Sequence, residues 1–241
     1  MTKKSLRVLA VLAIAMFSAN LAFAGNVADV TQTGTFSKAK IAQPGDSNDA
    51  DIIQSGTGFS GEENLAEIDQ AGTFNEAMID QGGKNNEALI SQSGNNNNND
   101  PSVTSTSPSI IVQSGMDNKA EITQGDDNAR VASIDQLGDR NSAVIRQTTF
   151  SGTTTDAFHD ADISQIGNDH TAVVLQQGEA TNTADVDQFG GNRNEAFVSQ
   201  FDQFGQFATV SQNGSDNFAL VLQGPGAADP LGVIPNAPVI P

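Results

Sequence analysis

The sequence predicts an all-β fold: a β-solenoid of about eight two-stranded coils, built from sixteen half-repeats of eleven residues and stacked as cross-β. Three observations predict it. Glutamine recurs at nearly constant spacing, alternate positions ahead of each glutamine are held to a narrow set of residues, and a glycine usually follows two positions later.

The glutamines are Gln32, Gln43, Gln54, Gln70, Gln81, Gln92, Gln113, Gln124, Gln136, Gln147, Gln165, Gln176, Gln188, Gln200, Gln212 and Gln223. Twelve of the fifteen intervals are 11 or 12 residues, and the other three mark insertions after Gln54, Gln92 and Gln147. Two positions before each Gln stands Ile or Val in all sixteen units, and two before that stands Ala in fifteen, with Ser109 the exception. Two earlier again is Asn in ten: Asn26, Asn48, Asn64, Asn75, Asn86, Asn118, Asn141, Asn182, Asn194 and Asn217. Gly follows two after the Gln in twelve.

A recurrence of two is the recurrence of a strand, whose alternate side chains share a face. Asn, Ala, Ile/Val and Gln therefore point one way and the intervening residues the other. The branched slot favours strand, and no 3.6-residue recurrence supports a helix. Glycine supplies the backbone freedom of a tight corner. A lone strand would bury its Gln without a partner, which is costly. Stacking coils in register ~4.8 Å apart removes that cost, because each amide can bond the copy above and below while the aliphatic side chains close a dry seam. The insertions, including Gly94 to Pro108, are expected to bulge from the turns, and Gln124-Gly125 and Gln147-Thr148-Thr149 to form local kinks.

The outward positions set the number of strands per coil. Alternate units carry Val144, Val173, Phe197 and Leu220 between Ala and the branched slot, with Leu175 and Leu222 two positions on, whereas their neighbours carry Ser, Asp and Thr there. An alternation of two units places the sets on opposite sheets. One outer face is then acidic and the other has an apolar stripe, Val144, Val173, Leu175, Phe197, Leu220 and Leu222, in its C-terminal half. Such a patch reads as an interface, either between fibres or with a surface.

Residues 1–24 are expected to be a signal peptide: Lys3, Lys4 and Arg7 precede an apolar run from Val8 to Phe17, and Ala22-Phe23-Ala24 ends the stretch as a small-x-small cleavage site. Removing those three basic residues takes the formal charge from −18 to −21. Residues 25–224 form the repeat domain. Residues 225–241 hold five prolines, too dense for a helix or a central strand, and read as a tail.

Composition narrows the function. There is no Cys, so no disulfide framework and no thiolate chemistry. The acidic balance argues against nucleic acid as a partner. Outward acids such as Asp29, Asp51, Glu67, Asp69, Asp80, Glu121, Asp135, Asp162, Asp185 and Asp187 repeat along the faces as solubilising charge. No single carboxylate pair is singled out as catalytic machinery, so an enzyme is not expected. His159 and His170 occupy the Asn slot in consecutive units and read as polar placeholders rather than metal ligands. No cofactor and no metal are expected.

At the level of the motif, Gln-x-Gly-x-x-Asn-x-Ala-x-Ile/Val-x-Gln resembles the repeat of curlin, the fibre subunit of bacterial curli. Gln70-Ala-Gly-Thr-Phe-Asn-Glu-Ala-Met-Ile-Asp-Gln81 is a clear instance, and the resemblance runs from Asn26 to Gln223. It implies a secreted subunit that adds to a cross-β amyloid fibre at the bacterial cell surface. Such a fibre serves biofilm matrix and adhesion to host or abiotic surfaces. The implied partners are further copies of the chain, a nucleator and outer-membrane secretion machinery. Three features depart from that family: no Gly/Asn-rich segment precedes the first repeat, Phe stands where the family uses Tyr, and three insertions interrupt the spacing. A monomeric secreted β-solenoid that binds a ligand or surface, or a minor nucleator of the fibre, is the alternative reading. The residues expected to form the stacking ladder are the sixteen glutamines and Asn48, Asn64, Asn75, Asn86, Asn118, Asn141, Asn182, Asn194 and Asn217.

Overall fold

The computed structural model describes residues 25–57, 63–95, 109–125, 130–148, 158–179, 181–202 and 205–224. The signal-peptide and tail segments, and most of the inserted residues, lie outside them. Every described regular element is a strand. In chain order these are β1 (Val27–Thr35), β2 (Ser37–Ala42), the two-residue β3 (Gly45–Asp46), β4 (Asp49–Thr57), β5 (Asn64–Thr73) and β6 (Glu76–Lys84). There follow β7 (Glu87–Asn95), β8 (Ser109–Met116), β9 (Lys119–Gln124), β10 (Arg130–Leu137), β11 (Ser142–Thr148) and β12 (His159–Asn168). The last are β13 (Thr171–Gly178), β14 (Asn182–Asn192), β15 (Glu195–Asp202), β16 (Gln206–Asn213) and β17 (Phe218–Gln223).

Two parallel sheets result. The first has the order β1-β4-β6-β8-β10-β12-β14-β16, and the second β17-β15-β13-β11-β9-β7-β5-β2, with β3 pairing β5 beside it. The chain alternates between sheets, so each coil contributes one strand to each and the stack is eight rungs deep, a β-solenoid. Register follows the repeat: Ile134 pairs with Ile163 and Gln136 with Gln165, while across the second sheet Ile145 pairs with Val174 and Gln147 with Gln176. Insertions do not shift it. Gln81 still opposes Gln113 and Gln92 opposes Gln124 across the insertion that follows Gln92.

The core is a narrow seam between the sheets. Ala and Ile/Val from both sheets fill it, with Ile52, Ile68, Ile79, Ile90, Ile111, Ile122, Ile134, Ile145 and Ile163 fully buried. Small Ala beside branched Ile lets two pleated faces approach without voids. Corners need left-handed backbone twice. Glycine provides one such residue, and a second, non-glycine one stands immediately before the Asn slot: Phe36, Ser47, Phe74, Asn85, Asp117, Arg140, Asp169, Arg193 and Asp216, all with φ between 52° and 59°.

Candidate functional site

The candidate site is the stacking ladder itself, together with the two ends where it stops. All sixteen glutamines line the seam, and each amide bonds the next. In the first sheet the Nε2 of Gln32 donates to the Oε1 of Gln54 (2.7 Å). The chain of bonds continues through Gln81, Gln113, Gln136, Gln165 and Gln188 to Gln212 at 2.8–2.9 Å. In the second sheet Gln43, Gln70, Gln92, Gln124, Gln147, Gln176, Gln200 and Gln223 form the same series at 2.8–3.0 Å. The series passes through Gln124 and Gln147, so the kinks expected at those two units do not interrupt the stack.

Most ladder amides also use their second N–H across the seam. Gln136 donates to the carbonyl of Lys119 (3.0 Å), Gln165 to Ser142 (3.1 Å) and Gln188 to Thr171 (3.1 Å), each on the opposite sheet. One side chain thus joins its own sheet vertically and the facing sheet horizontally. Ser109, the one break in the Ala column, is also used: Gln92 donates to its hydroxyl (3.2 Å), which donates to the Oε1 of Gln124 (2.9 Å). Replacing Gln136 by Met keeps the volume but leaves buried donors and acceptors on Gln113, Gln165 and Lys119. The expected loss is about 2 kcal/mol of unfolding free energy, read from the shift of the urea midpoint of freshly prepared protein.

The asparagines work differently from the amide-to-amide ladder expected of them. Their oxygen accepts the backbone N–H of the slot one rung on, from Asn86 to Asn64 (3.0 Å), Asn118 to Asn86 (3.1 Å) and Asn141 to Asn118 (3.0 Å). Their Nδ2 donates to a corner carbonyl of the next coil: Asn64 to Gly83, Asn86 to Gly115, Asn118 to Gly138, Asn141 to Gly167 and Asn194 to Gly214. Asn48 and Asn75 do the same in the first sheet, toward Gly72 and Gly94, and Asn182 accepts from the N–H of Gln206. Asn217 also bonds an Asn amide, that of Asn194 (3.0 Å). The short side chain ends beside the corner, where the turn's orphan backbone groups are its nearest partners. It therefore pins corners, while Gln pins the seam.

The histidines are both fully buried in the same coil, His159 at the start of β12 and His170 in the corner immediately before β13. His170 reproduces the Asn pattern: its Nδ1 accepts the N–H of Asn194 (3.2 Å) and its Nε2 lies 3.3 Å from the carbonyl of Ile166. That geometry requires the neutral ring with its proton on Nε2. His159 pairs in register with the fully buried Arg130. Burial and the neighbouring guanidinium lower its pKa to about 4, against the carbonyls of Thr148 and Gly178. Arg130 in an Asn slot is not anticipated by the sequence pattern; its only signal is that unit's missing corner glycine.

Outside the seam, the first sheet presents Asp29, Asp49, Asp51, Glu76, Asp80, Asp135, Asp160, Asp162, Asp185 and Asp187 on alternate, outward positions. Asp162 stacks on Asp185, and burial, then Asp185, raises its pKa. The second sheet's first half instead carries ion pairs, Lys38–Glu63, Lys40–Glu67, Lys119–Glu87 (3.2 Å) and Arg146–Glu121 (3.1 Å). Its second half holds the apolar stripe: Val144, Val173, Phe197 and Leu220 stack as one column, with Leu175 and Leu222 beside it. The stripe is half-buried rather than open, and Phe197, in register between Val173 and Leu220, is only 6 % exposed. Along one corner, charges alternate coil by coil: Asp117, Arg140, Asp169, Arg193, Asp216. Arg140 is bidentate to Asp169 (2.7 and 3.0 Å) and Arg193 to Asp216 (2.6 and 2.9 Å). Among the described residues no three His, Asp or Glu side chains are placed to share a metal ion, and no helix is long and apolar enough to cross a membrane.

The ends differ from the middle. Val30 is 43 % exposed although Ile52, the next residue in its column, is fully buried. At the other end Ala219 and Val221 are only half-buried. The ladder is also directional. Its first members, Gln32 and Gln43, have acceptor oxygens facing the open rung, and its last, Gln212 and Gln223, have amide donors facing theirs.

No curated protein matches the sequence. The family model described as the curlin associated repeat matches residues 24–56, 61–94, 75–100, 83–125 and 160–190, which together cover more than half of the 241 residues. With the repeat written in every rung of the ladder, the chain belongs to the curlin associated repeat family.

Proposed function

We propose that the protein is a secreted structural subunit that polymerises by stacking end to end. The product is a curli-type extracellular amyloid fibre that serves biofilm matrix and surface adhesion. The observation that supports this most directly is the match between the two ends. Setting β1 of one copy on β16 of another continues the Ala, branched and Gln columns: Ala208 over Ala28, Val210 over Val30, Gln212 over Gln32. Setting β2 on β17 puts Ala219 over Ala39, Val221 over Ile41 and Gln223 over Gln43. Donor amides meet acceptor oxygens, exposed Val30 is covered, and the unpaired strand edges are satisfied, since an uncapped edge is a template for pairing. The direction is fixed, because reversing one copy would oppose donor to donor. Export past the outer membrane and a separate nucleator belong to the same reading, as does a surface for the fibre to hold.

The test is seeded growth. Purified protein at micromolar concentration is expected to show a lag in thioflavin fluorescence that preformed fibre fragments abolish. Introducing Val30→Lys should block addition at that end, lowering the seeded rate at least tenfold. Protein that stays monodisperse in sedimentation for days, with or without seed, would show the monomeric solenoid to be the correct reading.

A further inference from the structure

We infer that the C-terminal half of the second sheet is a lateral interface to a second copy of this chain, engaged only once subunits are joined in a fibre. The inference rests on the fibre reading above. The column Val144, Val173, Phe197 and Leu220, with Leu175 and Leu222 beside it, occupies four successive rungs of one sheet face. Phe197, in register between Val173 and Leu220, is the most buried member of the stripe.

Charge chooses the occupant. A copy carrying a net formal charge of −18 is repelled by the acidic first sheet and by any surface dense in carboxylates. In the four coils of the stripe, the outward positions of the second sheet carry two charged residues, Arg146, already paired to Glu121, and Glu195 at the strand's start. There, like-charged copies can approach most closely, and their equally spaced Val, Leu and Phe side chains can interdigitate as a dry zipper between sheets ~10 Å apart.

Area sets the condition. Four rungs of ~4.8 Å and two columns ~7 Å apart give a face of roughly 250 Å². A stable pair of free proteins needs about 800 Å² per partner, so two isolated subunits should not dimerise through it. Stacked end to end, each copy presents the same stripe once per eight rungs, and contacts too weak singly add along two rigid fibres. The pairing is self-complementary, so the number of laterally joined fibres is set by this face and not by the growing ends.

The experiment compares fibres of the wild-type protein with those of Leu175→Thr/Leu220→Thr, which puts a β-branched strand former in each position. Val173→Thr serves as a milder second variant. Negative-stain microscopy should show laterally paired fibres at least tenfold rarer in the double variant, while the seeded elongation rate stays within twofold. Equal lateral pairing in wild type and both variants overturns the interface while leaving the fibre reading intact. Wild-type protein that grows no fibres overturns both. Deleting residues 225–241 should leave pairing unchanged; a rise in pairing on deletion would make that tail the occupant and overturn the assignment to a second copy.

Discussion

Gly138→Ala is expected to unfold the middle of the solenoid, with a loss of about 3–5 kcal/mol. Gly138 has a φ of 124°, which side chains rarely adopt, and a Cβ built there would lie 1.9 Å from the carbonyl oxygen of Gly167 on the next coil. That oxygen is part of a backbone held by the side chain of Asn141 (2.9 Å), and Asn118 in turn bonds the carbonyl of Gly138 (2.7 Å). The clash cannot be relieved by turning a side chain; a coil must lift, and the ladder with it. Gly82→Ala is the matched control. Its nearest atom would be the Oγ of Ser55 at 3.7 Å, so stability should change by less than about 0.5 kcal/mol. Urea unfolding of both variants, followed by far-ultraviolet dichroism on fresh protein, decides the matter: equal midpoints would mean that the coils are not packed this closely.

The second large effect is on acid stability. His159 faces Arg130 on β10 and Asn182 on β14, with the carbonyls of Thr148 and Gly178 on the opposite sheet. Its folded pKa, about 4, lies below the ordinary value of 6.5. A lowered folded pKa means stability that is present above the unfolded value and lost as pH falls through the folded one. The loss therefore starts near pH 6.5 and is complete somewhat below 4, and the full shift corresponds to about 3 kcal/mol. His170 adds to it, because burial lowers its pKa and protonating Nδ1 would turn its acceptor against the N–H of Asn194. The outward acids act with the opposite sign. Burial and stacked carboxylates raise the pKa of Asp51, Asp160 and Asp162, so acid relieves them. The double variant His159→Asn/His170→Asn separates the two. Relative to it, the wild-type protein should lose stability progressively between pH 6.5 and 4, and a difference that does not change with pH would refute the assignment.

These two sites show where sequence reasoning reached and where it stopped. The seam was legible because its chemistry is periodic: a residue every second position, an amide every eleventh, and an alternation of outward residues that separates two sheets. Register followed for the same reason, since shifting a coil by one residue would turn Gln and Ile outward. Corner geometry was less legible. The left-handed residue before nine of these slots is Phe, Ser, Asn, Asp or Arg, a set with no common side-chain chemistry. What those positions share is a following Asn or His whose side chain holds the turn, or Ser in the first coil. The Asn recurrence resembles the Gln recurrence because both are amides, yet Gln bonds its copy and the facing backbone while Asn bonds mainly the backbone of the corners. Phe197 falls in the column that the outward alternation predicts, but its near-complete burial is not readable from that alternation.

The corner charges carry a consequence for how the chain winds. If a coil were skipped during folding, Arg140 would come to rest beside Arg193, and Asp169 beside Asp216, in place of their opposites. Inward columns are blind to such a mistake, because one isoleucine or glutamine substitutes for another. Over those five coils the alternating sign is the parity check that the monotonous interior lacks, and it distinguishes neighbouring turns whose threads are otherwise interchangeable.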